Sequence, residues 1–352
     1  MKIALINDTH WGARNDSPAF IDYFNRFYDE IFFPYLQENN IKTLIHLGDV
    51  VDRRKFINHN TAHNFKLKFW NRIDELNLDT HVIIGNHDTY YKNTNEINAL
   101  QNLNISKNAK VYTSSQTINF DGLDVLFIPW ICDTIKEDTL YNIDNTTAQI
   151  IMGHLEIKGF EMHKGHLNEQ GLEKDLFKRF EKVLSGHFHK KSDDGHIYYL
   201  GCPYQIMWSD YNCPKGFHIF DTATRELTRV PNPLVMFKKF VYNDKDNDYT
   251  KKDLSEYENT FVKLFISNKT DNDMFDKLLD RFHNEINAYE INVIEDSNSD
   301  MSASVREDIL EQGEDTSTFL NNYIDQIDTT LDRNKLKKFV KELYVEVNNN
   351  DN

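Results

Sequence analysis

The sequence predicts a layered α/β fold, on three observations. Five short apolar runs recur between Lys2 and His189, polar clusters with turn-forming residues bound each of them, and amphipathic stretches of helical period often lie between. Runs of that length with such boundaries read as strands buried on both faces rather than as helices.

The first strand is expected in KIALIND (Lys2 to Asp8). An amphipathic helix should follow in SPAFIDYFNRFYDEIFF, with Ser17 as N-cap, Pro18 at the first helical position and Phe20, Phe24, Phe27 and Ile31 along one face. Further strands are expected in TLIHLGD (Thr43 to Asp49), HVIIGNHD (His81 to Asp88), QIIMGH (Gln149 to His154) and KVLSGHFH (Lys182 to His189). Between Lys110 and Trp130 an Asp121-Gly122 turn separates two alternating runs and predicts a hairpin, and GFHIFDTATRELTRV predicts another.

The motifs stop near Leu234, so residues 1–234 form the expected main domain. A β-α-β pattern follows (TFVKLFIS, MFDKLLDRFHNEI, YEINVIE), giving a small α+β domain over 235–296. The acidic, weakly apolar stretch 297–315 predicts a linker. Two short amphipathic helices are expected in 316–352, striped by Phe319, Leu320, Tyr323, Ile324 and Ile327 and by Leu336, Phe339, Val340, Leu343 and Val347. They either pack on the main domain or dock on a partner, and their place beyond an acidic linker favours docking.

At 39% hydrophobic and 27% charged, the 352-residue chain reads as globular. No apolar run is long enough for a membrane span, and the start MKIALIND lacks a leader pattern, so a cytoplasmic protein is expected. Cys132, Cys202 and Cys213 lie apart without CxxC spacing and read as packing residues. A formal net charge of -16 opposes nonspecific adhesion to nucleic acid. A polyanionic substrate would have to be captured locally, which bound cations beside carboxylates can do.

All five strand-like runs close on metal-ligating types. DxH supplies Asp8 and His10, GDxxD supplies Asp49, GNHD supplies Asn86 beside His87, GH supplies His154, and GHFH supplies His187 and His189. In open α/β sheets the carboxyl ends of neighbouring strands converge on one rim. Seven nitrogen and oxygen donors without a thiolate suit hard-to-borderline divalent cations, and the Asp49 carboxylate has two oxygens able to bridge a pair of them. The glycines before Asp49, Asn86, His154 and His187 are expected to leave room for tight turns and for substrate.

This ordered set, DxH, GDxxD, GNHD, GH and GHxH over residues 8 to 189, resembles the calcineurin-like metallophosphoesterases. Within them the chain is similar to SbcD-type double-strand-break repair nucleases, particularly the compact recombination endonuclease subunits of large tailed phages. The resemblance spans nearly the whole chain, by layout more than by motif in its C-terminal part. It implies an α/β-β-α sandwich with a capping domain and C-terminal helices. It also implies a two-metal DNA nuclease, exo- or endonucleolytic, using manganese, with magnesium, iron or zinc as alternatives.

By the same resemblance Asp8, His10, Asp49 and His189 hold one ion, and Asp49, Asn86, His154 and His187 the other. His87 then stabilises the transition state or protonates the leaving oxygen. Asp52 stands where family members differ; it either orients His87 or is a surface carboxylate or helix cap, and Asp88 is similarly ambiguous. The implied partners are DNA, a second copy of the chain built through NHNTAHNFKLKFWNRIDEL, and an SbcC-type coiled-coil ATPase, in a heterotetramer within the host cytoplasm if the chain is phage-encoded.

Arg14, Arg53, Arg54 and Lys55 are candidate contacts to a DNA backbone, with a solvated basic turn as the plainer reading of the last three. Trp11, Lys158, Lys164, Lys190 and Lys191 flank the motifs as weaker phosphate contacts. His46 reads as a core residue, and His59, His63, His81, His163, His166, His196, His218 and His283 belong to no motif. The competing functions are a phosphomonoesterase or cyclic-nucleotide phosphodiesterase with the same chemistry, and a scaffold with a degenerate site. Every ligand position is filled, which argues against the scaffold.

Overall fold

A computed structural model describes residues 1–103, 105–163, 166–245 and 247–294, together with helical positions 324, 333, 335–337, 339 and 340. The linker expected over 297–315 and most of the helices expected over 316–352 lie outside the described residues.

In chain order, β1 (Lys2–Ile6), β2 (Thr43–His46), β3 (Asp79–Ile83) and β4 (Ala109–Tyr112) lie side by side in parallel. Next come β5 (Gln116–Phe120), β6 (Leu123–Ile128), β7 (Ile150–His154), β8 (Glu161–His163), β9 (His166–Leu167), β10 (Lys182–Gly186), β11 (Ser192–Asp193) and β12 (Ile197–Tyr199). Then β13 (Lys215–Asp221), β14 (Leu227–Asn232), β15 (Phe237–Asn243), β16 (Phe261–Asn268) and β17 (Glu290–Ile294) complete the set. Two six-stranded sheets result, in the orders β14-β13-β1-β2-β3-β4 and β11-β12-β10-β7-β6-β5.

The five apolar runs become β1, β2, β3, β7 and β10. In the first, alternate residues serve two layers: Ile3 and Leu5 face the second sheet, where they meet Val125, Ile150, Met152 and Leu184, while Ala4 and Ile6 face the helices. Both faces are buried, hence the continuous apolar runs. Outside the first sheet lie a helix from Pro18 to Glu38 and another from His59 to Leu76, each with a π-helical turn, over Phe27–Phe32 and Lys66–Trp70. Pro18 opens the first helix as expected, but the Ser17 side chain makes no capping hydrogen bond. Outside the second sheet a third layer gathers Ile128, Ile151 and Val183 against Ile143 and Phe177. The stack is helix, sheet, sheet, helix.

The hairpin turn falls at Asp121 and Gly122, both at positive φ, and β13 and β14 form the second hairpin. The C-terminal unit holds one strand more than expected. β15 pairs in parallel with β16, which pairs in parallel with β17, and the helix Asn272–Asn284 buries Phe275, Leu278 and Phe282 against Phe240, Tyr242 and Leu264. Phe237 leaves this cluster and packs with Phe20 and Trp208, tying the unit to the first layer.

Candidate metal centre

Because β1, β2 and β3 are parallel neighbours in one sheet and β7 and β10 in the other, their carboxyl ends open on one rim where the sheets meet. Cross-sheet hydrogen bonds close that rim. The His187 N–H donates to both oxygens of Asp8, at 3.1 and 3.0 Å, and His154 Nδ1 donates to the Leu47 carbonyl at 2.8 Å. Four of the seven expected donors have non-glycine left-handed backbones: Asp8 (φ 50), His10 (φ 43), Asp49 (φ 54) and His187 (φ 89). Such conformations cost about 1 kcal/mol or more each and persist where surrounding structure over-determines them, commonly at functional sites.

All seven donors come together, in groups that meet at Asp49. Asp8, His10 and His189 form one set, Asp49, His154 and His187 another, and His10, Asp49 and His87 a third that links them, with ligating atoms in each within 4.8 Å of one another. Asn86 Oδ1 completes the second set, 2.9 Å from His154 Nε2 and 3.0 Å from His187 Nδ1. Asp49 Oδ2 lies 3.3 Å from His154 Nε2 and 3.8 Å from His10 Nε2.

This donor set fits divalent cations. The Nδ1 proton of His154 is committed to a carbonyl, so in the neutral ring Nε2 turns a lone pair toward two oxygens. Lone pairs facing one another across about 3 Å are brought together by a shared cation. In the other set the Nε2 atoms of His10 and His189 face each other at 3.0 Å.

The buried charges offset one another. Burial opposes ionisation of Asp49, but His154, His87 and His10 together hold its pKa well below the ordinary carboxylate range. Burial and the neighbouring Asp49 raise Asp8. Burial works against a charge on His154, yet Asp49, Asp8 and its hydrogen bonds lift its pKa to about 9. His189 is pressed well below its usual value by burial, His10 and Lys215.

The glycines serve the ligands more than the substrate. A Cβ at Gly48 (φ 92) would stand 2.5 Å from His154 Nδ1, and one at Gly85 would overlap the Asp49 carboxylate.

His87 lies on the rim, its ring edge-on to His10 with centroids 4.5 Å apart and its Nε2 3.9 Å from Asp49 Oδ2. Its Nδ1 donates to Asp52 at 2.6 Å, but to the backbone carbonyl. The Asp52 carboxylate turns instead to His10 Nδ1, at 3.2 Å, because the loop after β2 runs back along the residues after β1. Orientation of His87 by the carboxylate is therefore corrected to orientation by the carbonyl. Asp88 is a clamp: its oxygens accept the N–H groups of Val50, Val51 and Gly85 at 2.9, 3.1 and 2.9 Å, locking two ligand-bearing loops together.

The candidate DNA contacts are mostly engaged elsewhere. Arg53 donates to Asp16 and Asn15 and stacks on Phe56, Arg54 reaches Thr89 at 3.4 Å, Arg14 lies over Phe20, and Lys55 is exposed. Of the weaker ones, Trp11 is buried and stacked on Tyr28, so it is a core residue and not a phosphate contact. Lys158, Lys190 and Lys191 pair with Glu173, Glu161 and Asp193, and Lys164 lies outside the described residues. His46 is a core residue bonded to Thr9, as expected.

Two residues near the centre escaped the sequence reading. Trp130, just past the end of β6, sets its ring 5.3 Å from that of His187; its place beyond a strand end was the available signal. Lys215 is buried behind His189, donating to the His189 carbonyl at 3.0 Å, to Cys202 Sγ at 3.0 Å and to Asp210 Oδ1 at 2.5 Å. Asp210 keeps it protonated despite burial. His189, Cys202 and Asp210 could by spacing hold a further ion, but the Lys215 ammonium already occupies their centre. No signal in the sequence pointed to it.

Comparison with known proteins bears on the same residues. The calcineurin-like phosphoesterase family matches residues 1–191. Exonuclease subunit 1 of Enterobacteria phage T4 is 32% identical over 358 aligned positions, covering 98% of this chain and 99% of that one. Among solved structures, a dimetal phosphatase from Danio rerio is 11% identical, covering 66% of this chain and 95% of its own, with a TM-score of 0.42. An archaeal phosphodiesterase is 15% identical, covering 66% and 100%, with a TM-score of 0.33.

Proposed function

Because the chain belongs to the calcineurin-like phosphoesterase family, we propose that it is a manganese-dependent DNA nuclease. It would act with an SbcC-type ATPase in recombination and double-strand-break repair. The observation that carries this reading is the division of seven nitrogen and oxygen donors into two groups that meet at Asp49. Near-full-length similarity to a phage exonuclease subunit supports DNA as the substrate.

In this reading Asp8, His10, Asp49 and His189 hold one ion, and Asp49, Asn86, His154 and His187 the second. When bound, the two cations supply Lewis-acid activation of water and of the phosphodiester. Asp49, kept ionised by its histidine neighbours, neutralises part of the charge on both sides. The Leu47 carbonyl, accepting the Nδ1 proton, holds His154 in ligating orientation. His87, its Nδ1 proton committed to the Asp52 carbonyl, works through Nε2 to steady charge on the phosphoryl oxygens or to protonate the leaving oxygen.

Beyond the site, residues 235–296 serve as a capping domain and 316–352 as the ATPase-binding segment, with the helix His59–Leu76 contributing to a homodimer. No helix among the described residues is long and apolar enough to cross a membrane, and the host cytoplasm is the proposed compartment.

Two experiments test this. The full chain is assayed with manganese, and then with magnesium, iron or zinc, on linear duplex DNA, a generic phosphodiester and a phosphomonoester. DNA should be hydrolysed most efficiently and with manganese, and preference for the monoester overturns the reading. Deletion of 316–352 should abolish ATPase binding and spare manganese-dependent cleavage, and unchanged complex formation overturns that placement.

A further inference from the structure

The loop that leaves the metal centre after His87 is held at both ends by buried polar side chains, while Lys92, Asn93 and Glu96 at its crest are exposed. The Asp88 carboxylate holds three N–H groups of the ligand-bearing loops, and Asn95 donates to the carbonyls of Thr113 and Trp130 at 3.2 and 2.9 Å. The Tyr90 N–H donates to the Ile97 carbonyl at 2.9 Å and Thr89 bridges to Asn98, closing the loop on itself. Its aromatic side chains, by contrast, face solvent: Tyr90 is 38% and Tyr91 50% exposed, their rings edge to face with centroids 4.7 Å apart. Burial of an aromatic ring is favourable, so two exposed rings on a loop held at both ends leave apolar surface that folding does not use.

What lies beside that surface limits its occupant. Tyr90 is three residues from His87, and Arg54 reaches across to Thr89, the residue before Tyr90, at 3.4 Å. Rings and a cation together, adjoining a phosphodiester-cleaving centre, match a nucleotide: the π-face of a base on the rings and its phosphate toward the charge. In a duplex each base has both faces covered by its neighbours, so only an unpaired nucleotide offers a face to a tyrosine.

We propose that Tyr90 and Tyr91 form a nucleobase-stacking subsite that holds an unpaired nucleotide next to the scissile phosphodiester. The subsite rests on the nuclease reading and adds to it a preference for strands with unpaired bases at the point of cleavage.

The test uses the full chain with manganese and two oligonucleotides of the same backbone, one with normal bases in its unpaired segment and one abasic there. In the wild type the base-bearing strand should have a KM lower by about tenfold to a hundredfold, as expected for stacking of one base. Tyr90→Ala/Tyr91→Ala should bring the two KM values together by raising that of the base-bearing strand. Tyr90→Phe/Tyr91→Phe, which keeps both ring faces, should retain the wild-type preference. A preference that survives the alanine pair, or a wild type that cleaves both strands equally well, overturns the subsite and leaves the nuclease reading standing. A wild type that cleaves neither strand but hydrolyses a phosphomonoester overturns both.

Discussion

The two donor groups that share Asp49 are braced by different means. Around Asn86, His154 and His187 the support is local main chain and amide: the Leu47 carbonyl fixes one ring and Asn86 Oδ1 stands between two ring nitrogens. Around Asp8, His10 and His189 side chains do more of the bracing, beside the His187 N–H on Asp8. The Lys215–Asp210 pair stands behind His189, the Asp52 carboxylate behind His10, and His46 behind Thr9, the residue between two ligands. The consequence is electrostatic. In the first group Asp49 draws positive charge onto His154, whereas in the second burial and nearby cations keep His189 neutral. A backbone carbonyl cannot be mutated away or titrated, so the group with side-chain braces is the one open to substitution and to acid.

The largest expected effect tests what the two groups share. Asp49→Ala should remove both ions and lower DNA hydrolysis by roughly 10³-fold or more; metal counting by native mass spectrometry should show none retained. His154→Ala and His10→Ala should each lose one ion. Retention of two ions by Asp49→Ala would break the idea of a common ligand.

His87 stands with His10 and Asp49, and in the proposed reading it is a catalytic group rather than a ligand. His87→Ala should lower kcat by about 10²–10³-fold with both ions retained, and loss of an ion would assign it to one of the groups instead.

Lys215→Met sharpens the contrast in bracing. It leaves Asp210 buried without its cation, so urea unfolding should show about 3–5 kcal/mol of lost stability. In the folded fraction the His189 group should lose metal affinity before the His154 group does. Equal weakening of both would show that the two braces are not separate.

The smallest effect is a pH dependence. Burial lowers the His46 pKa from 6.5 to about 3. The unfolded chain therefore binds a proton there below pH 6.5 that the folded chain refuses until about pH 3. His46 thus contributes stability above pH 6.5 that is lost as the pH falls. His46→Gln should lose about 2 kcal/mol less than the wild type between pH 7 and pH 5, and identical pH slopes in denaturant unfolding would count against this.

The seven candidate donors were legible as a set because each lies at or just past the end of an apolar run, where strand period and turn chemistry can be read over a few residues. Parallel strands then carry those ends to one rim without further instruction. Asp52 shows where such reading stops. Its place in GDxxD marks it as important, but which of its groups meets His87 depends on the path of the 48–52 loop against the 8–11 segment. Trp11 looked like a rim residue for the same reason Asp8 and His10 do, yet its backbone bridges to Val51 and its ring turns into the helical layer. β15 went unread because FKKFVYN has the composition of an edge, with two lysines beside its aromatic residues.

The amino-acid sequence by itself determined the strand ends, the ligand types at them and hence the class of chemistry, because period, turn propensity and donor hardness are properties of short segments. Only the tertiary structure brought the donors together around Asp49 and set Lys215, Trp130 and Asp88 against them. Those relations join residues from 26 to 179 positions apart, and no local pattern encodes a contact that exists only once two sheets have packed face to face.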